Sequence, residues 1–144
     1  MAIRVSSGLK NQLLISSSVR EALEYGVIDV YSGAQPVTAE TSPTGTFLGR
    51  ITANGDPWVE GAEDAGLLLA GVPSANMLIA YPTQTWTLRV VASGIAGWFR
   101  FRSNASSATS FDGEISAPFE ELFIGDPSLV VGQTRAIESF SITF

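Results

Sequence analysis

Apolar and polar residues alternate most cleanly over residues 85–91, where Trp86, Leu88 and Val90 fall on one side and Thr85, Thr87 and Arg89 on the other. A repeat of two places alternate side chains on opposite faces of a strand, so this segment is predicted to be a half-buried strand. After a bend over residues 93–97, the run Trp98-Phe99-Arg100-Phe101-Arg102 repeats the pattern with larger side chains. Phe99 and Phe101 take the core face, leaving Trp98, Arg100 and Arg102 together on the outer face. Val27-Ile28-Asp29-Val30-Tyr31 and residues 47–52 are further strands, the first with Ile28 and Val30 sharing a face. Near the C-terminus, Phe140, Ile142 and Phe144 alternate with Ser139, Ser141 and Thr143, and Gly132-Gln133 is expected to join residues 129–131 to a last strand, 134–144, in a type II′ hairpin. A chain ending on Phe144 in this pattern is expected to have its last residue held in the sheet.

The first 26 residues follow a different rhythm. Leu9, Leu13 and Leu14 have helical spacing within residues 7–15. Ser18-Val19-Arg20-Glu21 has the form of a capping box, which predicts a second helix running to about Tyr25 with Gly26 as its left-handed terminator. This segment is either a helical arm that docks on a neighbour, through Leu9 and Leu13, or a lid that closes one end of the sheets. Between the strands, residues 34–46 form a Pro-, Thr-, Ser- and Gly-containing loop too long for a tight hairpin. Asn54-Gly55-Asp56-Pro57 is a turn, and residues 104–110 form a polar loop of small residues. The fold class expected from these elements is mainly β, an antiparallel β-sandwich with a short N-terminal helical segment, in one domain over residues 1–144.

Composition narrows the chemistry. The chain of 144 residues has no Cys and no His, which excludes Cys nucleophiles, Ser-His-Asp triads and ordinary zinc or copper sites. A net charge of −6 argues against nucleic-acid binding, which depends on phosphate neutralisation. The uncharged run over residues 65–88 is interrupted by Pro73, Asn76, Pro82 and Gln84, so it falls short of the roughly 20 apolar residues of a membrane span. No basic segment followed by an apolar stretch opens the chain, so no signal peptide is expected. Only 15% of residues are charged, against about 25% in an average soluble protein. Either other subunits cover part of the surface, or Ser and Thr supply its polarity.

Candidate sites are correspondingly few. Asp56, Glu60, Glu63 and Asp64 crowd one loop, but they lack the alternating spacing and central glycine of a calcium loop, so a solvated acidic loop is expected and no metal or cofactor. Asp112 and Glu114 have no nearby nucleophile or second acid–base partner and are expected at the surface, so no enzymatic activity is expected. Trp98 beside Arg100 and Arg102 could be a cation–π pair, a subunit contact or ordinary sheet packing; Trp and Arg are both enriched at interface hot spots. Trp58 or Trp98 could alternatively be a stacking platform for a glycan.

Several phrases, in this order, resemble small structural proteins of tailed bacteriophages and prophages: Gly26-Val27-Ile28-Asp29-Val30-Tyr31-Ser32-Gly33-Ala34-Gln35-Pro36, Pro43-Thr44-Gly45-Thr46, Gly97-Trp98-Phe99-Arg100-Phe101, Phe111-Asp112-Gly113, and Val130-Val131-Gly132-Gln133-Thr134 leading to Ser139-Phe140-Ser141-Ile142-Thr143. The resemblance touches most of the chain from Leu9 onward. It implies a virion protein assembled in the host cytoplasm, either a capsid decoration protein or a tail or baseplate component. Decoration is preferred, because the chain lacks the extended arms and fibrous repeats of tail parts. The implied partners are the major capsid protein and further copies of the chain, with a homotrimer favoured. In that setting Trp98, Arg100, Arg102, Leu9, Leu13 and Trp58 are the interface candidates, with Trp98→Ala expected to weaken association and spare the fold.

Overall fold

The computed structural model describes residues 3–15, 18–104, 109–115 and 122–143. The chain opens with β1 (Arg4–Val5), α1 (Ser7–Ile15) and α2 (Val19–Leu23). It continues through β2 (Val27–Ser32), β3 (Phe47–Ala53), β4 (Leu69–Val72), β5 (Met77–Ala80), β6 (Trp86–Val90), β7 (Gly94–Arg102) and β8 (Ser110–Glu114). It closes with β9 (Leu122–Phe123), β10 (Ser128–Leu129), β11 (Thr134–Ala136) and β12 (Ser139–Thr143). Among the described residues the larger sheet has the order β1-β8-β7-β2-β3-β6-β11, with β10 also paired to β7, and the smaller has the order β4-β5-β12-β9. Every pairing is antiparallel.

The two sheets form a mainly β sandwich because their inner faces share one aromatic core. Phe140 of the smaller sheet lies 5.1 Å from the Trp86 ring, 5.7 Å from Phe101, 6.2 Å from Phe99 and 6.3 Å from Phe111, all of the larger sheet. Such tilted and edge-on contacts add about 0.5–1.5 kcal/mol each to simple area burial. Ile28, Val30, Ile51 and Leu88 complete the inner face, as the period-two pattern requires.

The helices close this core from their own chain. Leu9 of α1 and Ala22 and Leu23 of α2 are buried in it. β1 pairs with β8, and the Ser6 hydroxyl accepts from both the Leu9 and Ser110 amides. Leu9, expected at a subunit contact, is therefore a core residue, while Leu13 is exposed. Ser18 caps α2 through the Glu21 amide, as the sequence pattern predicts. The helix ends otherwise than expected: Tyr25, not Gly26, takes the left-handed conformation (φ 64°). Glycine is needed at position 26 because a Cβ there would overlap the Arg102 carbonyl oxygen.

Two other segments depart from the sequence pattern. Residues 94–97 are not a bend before the strand but its first half, and Gly97 is the extra residue where Tyr31 pairs with Trp98 but Ser32 with Ala96. A Cβ at Gly97 would overlap the Gly33 carbonyl. The link at Gly132-Gln133 is not a type II′ hairpin. Gln133 N–H bonds to Val130 O (3.1 Å) with Gly132 at φ 89°, the third position of a type II turn, and the flanking strands pair with different partners: β10 with β7, β11 with β6. Residues 134–144 accordingly split into β11 on one sheet and β12 on the other. The expected anchoring of Phe144 and most of the 104–110 loop lie outside the described residues.

Candidate functional site: an arginine and aromatic groove on the outer sheet face

The outer face of the larger sheet carries a row of charge that follows from strand register. Side by side across six strands stand Arg4, Asp112, Arg100, Asp29, Arg50 and Arg89. Each is the polar member of an alternating strand, so each points away from the phenylalanine core, and antiparallel pairing lines them up. Arg100 makes a two-point contact with Asp112, at 2.7 and 2.9 Å. Arg50 makes another with Asp29, at 2.6 and 3.3 Å. Arg102, diagonal to this row, brings Nε to 3.1 Å from Asp29 Oδ2, without the alignment of a hydrogen bond.

Residues 34–46 lie over part of this face. Trp98 Nε1 donates to Thr44 O, its ring stacks on Tyr31 at 4.6 Å between centroids, and Arg100 lies 5.4 Å from the Trp98 ring centre. Ala39 and Pro36 of the covering segment are buried. Glu40 accepts a hydrogen bond from the Ser7 amide at the start of α1, which ties the loop to the helix. Trp98 and Arg100, expected on an open surface for a neighbouring subunit, are therefore 0% and 6% exposed. Asp112 is likewise not the surface residue its sequence surroundings suggest; it is fully buried as the counterion of Arg100.

Electrostatics match these positions. Burial pushes the Asp112 carboxyl up, outweighing the opposing pull of Arg100. Burial and then the Asp29 charge raise the Tyr31 phenol. The Ser7 amide lowers the Glu40 carboxyl below its ordinary value of 4.5. A depressed carboxyl contributes its tie above the unfolded value and loses it as pH falls through the folded one. Corrected for intrinsic rate, hydrogen exchange at the Ser7 amide is therefore expected to accelerate below about pH 4.5. In Glu40→Gln that acid-side step should vanish. A flat profile in the unsubstituted chain would show that the carboxylate does not hold the loop.

Two grooves remain open beside the covering loop, and they meet at Arg50. One, of about 640 Å³, has Asp29, Tyr31, Arg100 and Arg102 in its floor. The other, of about 580 Å³, is lined by Phe47, Arg50, Asp56, Trp58, Arg89 and Val91. Trp58, half-buried, donates through Nε1 to Tyr25 O at 2.8 Å and has Arg50 and Arg102 at 5.6 and 5.5 Å from its ring centre. Arg50 also lies 5.7 Å from the Phe47 ring. Of the residues singled out in the sequence, Trp58 and Arg102 are brought together here, Trp98 and Arg100 lie beneath the loop, and Leu9 and Leu13 lie elsewhere.

At the end of the sheet next to Phe47 and Val91, the segment around Val130 and Val131 is held alongside. Gly132 N–H bonds to Val90 O, and Val131 N–H to the Ser93 hydroxyl. Phe47, Val91, Val130 and Val131 are all exposed, so the groove opens onto an apolar rim. Sequence reasoning missed Asp29, Arg50, Arg89 and Phe47 as members of this site. A charged residue set between the β-branched residues of β2 was the available signal for Asp29. The others become visible only through register.

The acidic loop lies at the other end of the groove. Among the described residues no group of three carboxylates is gathered closely enough to hold a metal ion. Glu60, Glu63 and Asp64 are exposed, and the Glu63 charge raises the Tyr25 phenol. Among the described residues no helix is long and apolar enough to cross a membrane. Comparison with protein-family models, curated proteins and solved structures gives no match to this chain.

Proposed function

We propose that this chain is a structural subunit of a tailed-phage virion, a capsid decoration protein that binds the outer shell and further copies of itself and stabilises the particle without catalysing a reaction. The observation that carries the reading is the groove around Arg50, Arg89, Trp58 and Phe47, opening onto exposed Val91, Val130 and Val131. Arginine and large aromatic side chains beside an apolar rim are what tight protein contacts concentrate at their centres. The ordered sequence resemblance supports the virion setting. Asp29 and Asp112, the carboxylates of the row, are both engaged by guanidinium groups, which suits recognition better than proton transfer. A glycan platform is disfavoured because Trp98 is buried and Trp58 already has two guanidinium groups close to its ring.

Imaging virions made with and without this chain tests the proposal. The expected difference is density at regular sites on the outer capsid. Density lost from the tail or baseplate would replace decoration with a tail role, and unchanged particles lacking the chain altogether would overturn the virion reading.

A further inference from the structure

The distribution of charge points to a specific occupant of the groove. Arg4, Arg50, Arg89, Arg100 and Arg102 share the outer sheet face with Asp29, Asp112 and Glu114, so five positive charges stand against three negative ones, a net of +2. The whole chain is at −6, so everything else carries −8. The positive side of this division is also uneven. Arg100 is neutralised by Asp112 under the loop, whereas Arg50 and Arg102 share the single charge of Asp29. Arg89, exposed, hydrogen-bonds to the Gly55 carbonyl, and among the described residues it stands in no ion pair. Around the open groove Arg50, Arg89 and Arg102 therefore stand against Asp29 and Asp56, which leaves one positive charge in excess.

The acidic loop of the same chain has the matching order. Val59 is 67% exposed, and Glu60, Glu63 and Asp64 follow it into solvent. The loop is held outward: Gly61 N–H bonds to both Asn104 O and Asn104 Oδ1, and the Ala62 amide to Val59 O. It thus presents an apolar residue followed by three carboxylates, and the groove presents Phe47 and Val91 followed by arginines. Resting on the reading of the groove as an association face, we infer that its occupant is the acidic loop, residues 59–64, of a second copy of this chain. Loop and groove adjoin at Trp58, so a two-fold pair seats the loop of each copy in the groove of the other.

The test is self-association in solution, with no virion present, so that it stands or falls separately from the capsid role. Sedimentation of the full chain at about 0.15 M and 1 M salt should show an oligomer that dissociates as the screening length falls from about 8 to 3 Å. Arg89→Glu and Glu63→Lys, both at exposed positions, are each expected to weaken association roughly tenfold or more, since like charges then face each other. The double variant Arg89→Glu/Glu63→Lys should recover most of it, and circular dichroism would check that each variant is folded. Should one variant fail to fold, Glu60→Lys provides the same reversal from the loop side. A monomer at every concentration, an oligomer indifferent to both reversals, or a double variant no better than the singles would each overturn the inference. A monomer that still decorates capsids would overturn it while leaving the proposed function in place.

Discussion

Asp112→Ala is expected to destabilise the fold by about 3–5 kcal/mol, the range measured when one partner of a buried ion pair is removed. The Asp112 side chain is fully buried and that of Arg100 nearly so, and the two are joined at 2.7 and 2.9 Å. Removing the carboxylate leaves a guanidinium with no counterion under the loop. Burial opposes the charged form of Asp112, and for a buried pair the cost of taking two charges out of water offsets most of what their attraction gains. That asymmetry makes a second, sharper expectation. Arg100→Met with Asp112→Leu in the same chain should recover most of the loss, because it removes both desolvated charges and keeps apolar volume. Urea unfolding of the three proteins measures this. A single variant within about 0.5 kcal/mol of the parent, the range of ordinary surface changes, would show that Asp112 is solvated after all.

Trp98→Ala is expected to cost a further 3–5 kcal/mol or so, the usual penalty for deleting a large buried aromatic ring. In a domain of this size roughly 2–4 °C of melting temperature accompanies each kcal/mol, so the transition should fall by about 10 °C or more. Trp98 is fully buried, stacked on Tyr31 and donating to Thr44, so its loss opens a cavity and frees the covering loop at once. The residue that looks from its sequence surroundings like an anchor for a neighbour is thus an anchor for the chain's own loop. A Trp98→Ala protein with an unchanged melting temperature would return it to the surface. Trp58→Ala is the better probe of association, since that ring lines the open groove.

These two cases show how far the sequence reaches. Alternation assigned Phe99 and Phe101 to the core and Trp98, Arg100 and Arg102 to the opposite face, and the structure keeps that division. What alternation cannot say is whether the opposite face is wet. A period of two distinguishes two sides of a strand, but the loop that buries one of those sides comes from residues 34–46, more than fifty positions away. Leu9 and Leu13 are similar: both lie on a short helix of the right spacing, yet one enters the core and the other faces solvent, because packing against α2 and β8 decides which side of α1 is covered. The burial of Asp112 escapes the local pattern for the same reason. Its partner, Arg100, is twelve residues away in the chain and directly opposite in the sheet.

By itself the sequence determined the mainly β class, the two N-terminal helices with the Ser18 cap, the inner-face residues of β2, β6 and β7, and an acidic chain without cysteine or histidine. Those properties are local: they depend on propensity, on a repeat of two or 3.6 residues, and on counts. Only the tertiary structure decided that Arg4, Asp112, Arg100, Asp29, Arg50 and Arg89 form a single row, that Asp112 and Arg100 within it are buried, and that Arg50, Arg89, Trp58 and Phe47 surround an open groove. Register brings together charges separated by up to about a hundred residues of chain, and no local pattern encodes which strand lies beside which.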